Sequence, residues 1–446
     1  MYTQKFVNWI TWFMPTVALL IIVLVPFQGI LTVGLSQLFG HYTILRLWKE
    51  FLMILLAIGA VYIVVKNKKI RTQLFKSKLT WLIATFIFVE LLWGIVAYLT
   101  HQVSTKALGY SWISDNRYFI FFLNVWIIAA ATPKIKNSWP KIVFWPAAVV
   151  IVFGLLQYFI LPYNFMTHFG YSSATIFPYE DINSNIHYIR IMSTLRGANP
   201  LGAYLIVVLS LAIVLWRQQK KWWLVALAGA GTLALIFSFS RAAWLGLVLG
   251  LITLFWIGLK SRGKRQWTLV GLVVCLIVAV VVGLGLRNNA TFQNIFLHTQ
   301  TSSVVQSTSD QGHVSDIQSG LGNVLTEPLG RGPGTAGPAS VYNSGHPARI
   351  AENYFIQIGQ ETGWIGLALF VAINLAVAVA LWRRRAHPLA LGLLIALIGI
   401  SFANLLSPAW TDDTLCYLWW GLAAIACTIP LKRLKPEDYR RRSLIE

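Results

Sequence analysis

The segment GHPARIAENYFIQIGQETGWIGLALF, from Gly345, places Glu352 and Asn353 directly ahead of a long apolar run, with His346 and Arg349 just upstream. A carboxylate at the mouth of an apolar helix is costly to desolvate unless something uses it. A second polar set is cationic. Arg190 and Arg196, the latter in STLRGANPLGAYL, precede one apolar run, and Arg241, in FSFSRAAWLGL, interrupts another. An arginine in such a place either snorkels to lipid phosphates or clamps an anionic substrate, its planar fork matching phosphate oxygens two at a time. Several of them at helix mouths favour an anion site.

Other polar motifs are less specific. Glu90, in FIFVELLWG, falls inside an apolar run, as a proton carrier, an arginine partner or a protonated group bonded to a neighbouring helix. Gly332, Gly334 and Gly337 have GxGxxG spacing, but without a βαβ context they read as turn chemistry rather than a dinucleotide loop. Asp412 and Asp413 form a bare acidic pair, a weak candidate for a cation at the outer surface. HExxH, CxxC and paired-aspartate motifs are lacking, so neither a metal nor a cofactor is expected. Cys275, Cys416 and Cys427 all fall in apolar runs and read as buried packing residues.

The elements that carry these residues must be membrane helices. Apolar residues make up 57% of the 446 positions and charged residues 11%, a composition foreign to a water-soluble domain. The net charge of +21 lies in short clusters between apolar runs, so it points away from nucleic acid. About 20 apolar residues cross a bilayer, which predicts an all-α protein with about twelve spans. They lie near 13–34, 45–65, 79–99, 117–132, 140–161, 200–216, 222–239, 242–259, 267–286, 361–382, 388–407 and 414–430. The N-terminus reads as a retained first span rather than a cleaved signal. With it inside, alternate loops and the tail hold 26 of the 36 Lys and Arg residues, so both ends are expected in the cytoplasm.

The expected organisation is five spans over 1–161, an external loop over 162–199 and four spans over 200–286. A large external loop over 287–360, three spans over 361–430 and a basic cytoplasmic tail over 431–446 complete it. Within the large loop, HVSDIQSGLGNVL predicts a short amphipathic helix with Val314, Ile317, Leu321 and Val324 on one face.

Three pieces fall in a fixed order: LRGANPLGAYL, then SFSRAAWLGLVLGL, then an external loop containing EPLGRGPG and closing with ENYFIQIGQETGWIGL. Together they resemble the O-antigen ligase and polymerase family of bacterial membrane glycosyltransferases, over roughly Leu195 to Leu369. The resemblance implies a reaction at the outer face of the bacterial cytoplasmic membrane. A glycan on a polyprenyl diphosphate passes to a hydroxyl of an acceptor sugar, without metal or cofactor. Matching positions make Arg196 and Arg241 holders of the diphosphate, where preset guanidinium groups would stabilise the charge of the leaving group. Glu352 stands where the ligases carry His, and would act as the base that takes the hydroxyl proton. That departure leans toward a polymerase. Arg190, His313, His346, Asn353 and Arg349 are the expected further substrate contacts, His313 standing where many relatives have Arg. The implied partners are the lipid-linked donor, the glycan acceptor, the bilayer and other polysaccharide-assembly membrane proteins. A flippase or transporter, and transfer to protein, are the rival readings.

Overall fold

The computed structural model describes residues 2–182, 185–259, 261, 263, 285–286, 289 and 309–431. Most of the expected ninth span (267–286), Cys275 and the basic tail from residue 432 lie outside them. The first half of the chain forms α1 (Tyr2–Leu24), α2 (Gln28–Phe39), α3 (Tyr42–Leu45), α4 (Trp48–Lys66), α5 (Lys68–Lys76), α6 (Lys78–Leu99), α7 (Thr105–Ala131) and α8 (Trp139–Phe159). A small antiparallel pair follows, β1 (Glu180–Ile182) and β2 (Asn185–Arg190), with Glu180 opposite Arg190. Then come α9 (Ala198–Gln219), α10 (Trp222–Phe237), α11 (Arg241–Gly258), α12 (Ser309–Thr326), α13 (Tyr354–Trp382), α14 (Pro388–Ala403) and α15 (Asp413–Cys427).

Among the described residues, seven stretches are long and apolar enough to cross a membrane: Trp12–Phe39, Tyr42–Lys66, Lys78–Leu99, Trp139–Phe159, Ala198–Gln219, Arg241–Gly258 and Tyr354–Trp382. Three shorter apolar helices, α10, α14 and α15, pack among them. The expected hairpin at Ser238–Arg241 is present as the turn between α10 and α11. Where a span was expected over 117–132, α7 instead starts at Thr105, capped by the Ser104 hydroxyl accepting from Ala107 N. Its buried Asp115, Asn116 and Arg117 break the hydropathy signal while finding partners inside the protein. The helices α9 and α15 are buried almost all round, as expected of central helices. Between α11 and α14, a methyl group at Gly246 would stand 2.5 Å from Gly399 O, the close backbone approach that small residues permit between membrane helices.

Hydrogen bonds sort the connections onto two ends of the bundle. At one end Ser104 Oγ donates to Tyr342 O (2.9 Å), Arg190 Nε to Ser238 O (3.0 Å), Tyr354 N to Asn404 O (3.0 Å) and Thr194 Oγ1 to Pro26 O (2.7 Å). At the other, Lys136 Nζ donates to Thr428 O and Arg384 Nε to Ile429 O. The first group includes Ser104, Arg190, Thr194, Tyr342 and Tyr354, from segments expected outside, and the second Lys136 and Arg384, from segments expected inside.

The loop after α12 enters the bundle. Gly330, Gly332, Gly334 and Gly337 all adopt positive φ, as the turn reading of this glycine-rich stretch requires. The loop docks where α13 is broken at Gly363 (φ 64°, ψ −162°). There Arg331 N donates to Gln360 O, Gly332 N to Glu361 O and Trp364 N to Pro328 O, at 2.8–2.9 Å. Backbone groups freed by the break are thus satisfied by the loop, the condition for irregular backbone among membrane helices. A side chain at Gly363 would collide with Pro328 O. The amphipathic helix is α12, but its expected face divides. Val324 is buried and Gly320 packs against Ile356, while Val314 and Leu321 are exposed.

Candidate active site

A cleft of about 730 Å³ opens at the end of the bundle shared by the first group of connections. Arg46, Arg190 and Arg196 line it, with Tyr42, Tyr179, Glu180 and Asp413. Each arginine is placed by a different element. Arg190 ends β2, where its Nε donates to Ser238 O at 3.0 Å and Nη2 to Asn199 Oδ1 at 2.6 Å, with Glu180 at 3.6 Å across the strand pair. Burial lowers its guanidinium below the ordinary value, Glu180 opposes this, and nearby Arg241 adds to it. Arg196 precedes α9 and donates from Nε to Asp412 Oδ2 at 3.0 Å. Arg46, in the turn between α3 and α4, donates from Nη2 to Tyr110 OH at 3.2 Å. Three cations with unlike tethers converge on one water-accessible space. The arrangement suits an anion bearing several oxygens.

A second cavity of about 330 Å³ adjoins it, lined by Tyr158, Tyr163, Phe165 and several aliphatic residues, and shares Tyr179 and Arg190 with the cleft.

The remaining expected residues lie elsewhere at this end of the bundle. Arg241 is the half-buried first residue of α11, within electrostatic reach of Arg190 but outside the cleft lining. Arg349 pairs with Glu327, Nη1 to Oε2 at 2.8 Å and Nη2 to Oε1 at 3.2 Å, so its charge is already matched. The bond from Arg349 holds the Glu327 carboxyl below its ordinary range, with Arg331 assisting. His346 Nε2 lies 3.2 Å from His101 O. His313 falls in α12, and its side chain is outside the described residues.

At the head of α13 the expected pair divides its work. Asn353 is the N-cap, its Oδ1 accepting from Ile356 N (3.1 Å) while Nδ2 donates to Leu405 O (3.1 Å). Each end of its amide thus holds the chain at the head of α13. Glu352 precedes the cap and is half-buried, in the left-handed region at φ 47°. A residue with a Cβ costs roughly 1–2 kcal/mol there, and α13 has no acid in its first turn.

Sequence reasoning missed a buried ionic knot. Asp413 accepts from Lys49 Nζ at 3.0 Å and from Arg117, while Lys49 also meets Glu50 at 3.3 Å. The acidic pair expected at the outer surface is thus corrected on both counts: Asp412 and Asp413 are buried and already hold protein cations. Charged residues at the heads of α4 and α15 were the available signal. Glu90 is fully buried, and neither carboxyl oxygen has a hydrogen-bond partner among the described residues, so two of its three readings, the arginine partner and the bond to a neighbouring helix, find no partner there. Nearby, Ser111 Oγ donates to Asp115 Oδ2 at 2.6 Å, and Gly334 N donates to Glu361 Oε1 at 2.8 Å.

Residues 226–371 match the family model described as O-antigen ligase. That match supports the O-antigen ligase/polymerase family for this chain. It covers Arg241, His313, His346, Arg349, Glu352 and Asn353, whereas Arg46, Arg190, Arg196 and Asp412 lie outside it. No curated protein matches the chain.

Proposed function

We propose that this protein transfers a glycan from a polyprenyl diphosphate to a sugar hydroxyl at the outer face of the membrane, as a metal-independent polymerase or ligase. The observation that carries the reading is the convergence of Arg46, Arg190 and Arg196 on one cleft. Its end of the bundle also carries Glu352, through the segment that joins Asn353, Leu405 and Asp412. The excess of Lys and Arg in the opposite loops supports an outward-facing cleft.

In this reading the acceptor oxygen attacks the anomeric carbon and the bond to the diphosphate oxygen breaks. The electron pair leaves with the diphosphate, whose growing charge meets the arginines. The hydroxyl proton passes to Glu352. The donor sugar extends from the cleft toward the head of α13, where the acceptor arrives. A cleft confined to one end of the bundle favours transfer over a flippase, which needs a path through the middle. Glu in place of the ligase His favours polymerisation.

The test is detergent-purified protein incubated with lipid-linked repeat units. The wild type should give a product ladder that persists in excess EDTA. Glu352→Gln keeps shape but takes no proton, so turnover should fall about a hundredfold or more while the donor KM stays near wild type. A Gln variant with full turnover would remove Glu352 as base. Orientation has its own measurement. A cysteine at exposed Ser344 should react with a membrane-impermeant thiol reagent in intact cells, and one at Ser77 should not. Labelling at Ser77 alone would reverse the sidedness and with it the external reaction.

A further inference from the structure

Resting on the reading of the cleft as an anion site, we infer that Asp412 is the positioning residue for Arg196, and that it works by holding Nε alone. An arginine has three nitrogens, and the use made of each decides what the others can do. Asp412 Oδ2 accepts from Arg196 Nε at 3.0 Å. Both terminal amino groups are without a hydrogen bond among the described residues. Those two groups form the fork that recognises a phosphate edge, and the side chain lines the cleft. A carboxylate on the terminal nitrogens would compete with the ligand. One on Nε fixes the plane of the guanidinium and leaves the fork open.

Asp412 is itself held. Its other oxygen, Oδ1, accepts from Leu415 N at 3.1 Å as the N-cap of α15, and the side chain is 4% exposed against 35% for Arg196. Its neighbours are fixed too. Arg117 Nη2 donates to Thr411 O at 3.1 Å, and Asp413 is locked between Lys49 and Arg117. The segment carrying the carboxylate is therefore bound to α4 and α7 before any ligand arrives. Arg196 inherits that rigidity through one bond, so less side-chain freedom is lost when an anion binds.

Electrostatics and positioning make opposite forecasts here. Removing a negative charge beside an anion site raises the local positive potential and should tighten binding. If Asp412 works by orienting Arg196, its removal should weaken binding in spite of the gained charge. Asp412→Ser separates the two functions of the carboxylate. Serine is a good N-cap, so α15 keeps its start, but the side chain is too short to hold Arg196.

The measurement is calorimetric binding of inorganic pyrophosphate to the full-length protein in detergent, for wild type, Asp412→Ser, Arg196→Lys and the double variant. Asp412→Ser should weaken binding about tenfold with an unchanged thermal midpoint, and Arg196→Lys should weaken it similarly. In the Arg196→Lys background, Asp412→Ser should cost nothing further, because the residue acts through the fork that lysine lacks. Unchanged or tighter binding in Asp412→Ser would overturn the inference. So would an equal loss in both backgrounds, which is what general damage to the segment would give. If wild type does not bind pyrophosphate, or Arg196→Lys alone leaves the affinity unchanged, the reading of the cleft itself falls and takes this inference with it.

Discussion

Arg117 and Arg196 both donate to the short segment Thr411–Asp413, yet they are put to opposite use. Arg117 is buried, with Asp413, Glu50 and a backbone carbonyl around it. Arg196 spends one nitrogen on Asp412 and turns the rest of its guanidinium to an open cleft. Residue type does not distinguish them, and neither does distance from the segment. What distinguishes them is how completely the protein itself matches the charge. A guanidinium whose partners are all supplied internally is a strut, and one left partly unmatched at a cleft is available to a ligand.

The contrast breaks first at Asp413. Asp413→Asn removes one of the two carboxylates that Lys49 and Arg117 share, and leaving Glu50 alone to match two buried cations should cost about 3–5 kcal/mol of stability. Thermal unfolding in detergent reads this directly, and an unchanged midpoint would show that the knot is no strut. Next comes Arg196→Lys, which keeps the charge but loses the fork. Turnover on a lipid-linked donor should drop about a hundredfold, with the unfolding midpoint within error of wild type. A midpoint that falls together with the rate would place Arg196 with Arg117 after all. The smallest effect tests the intermediate case, Arg349, an arginine near the surface whose charge is matched by Glu327. Because Glu327 titrates below the ordinary 4.5 when folded, the pair stabilises the fold above that pH, and the gain is lost as pH falls through the depressed value. Glu327→Gln should therefore lower the midpoint modestly near pH 7, by about 1 kcal/mol or less. Wild type and variant should converge in acid, and a gap that persists there would mean the loss is one of packing.

How far the sequence could be read depended on whether the physics was local. Long apolar runs have one inexpensive fate in a membrane, so most helices lay where hydropathy placed them, and Ser238–Arg241 marked its turn. The head of α7 was missed because Asp115 and Arg117 are costly in lipid, and only tertiary partners make them tolerable. Arg190 and Arg196 stood out because their segment was expected outside, against the preference for basic residues inside. Arg46 did not, since its partner Tyr110 is 64 positions away and nothing nearby announces the contact. Arg349 and Asn353 showed the right chemistry, but Glu327 and Leu405, which occupy them, are 22 and 52 residues distant. A single sequence displays the donors and acceptors. It does not show which are already spoken for.

The interruption of α13 at Gly363 has a consequence for biosynthesis. The ribosome delivers Pro328–Gly334 before Glu361–Trp364, so the glycine-rich loop is made before the backbone groups that will hold it. The helix, in turn, reaches the bilayer with unmatched amides and carbonyls at its break until the loop arrives. Neither can mature alone, and insertion of this span is a two-part event separated in time. A nascent chain halted before residue 360 would keep the loop undocked, with none of the three backbone bonds at the joint yet possible.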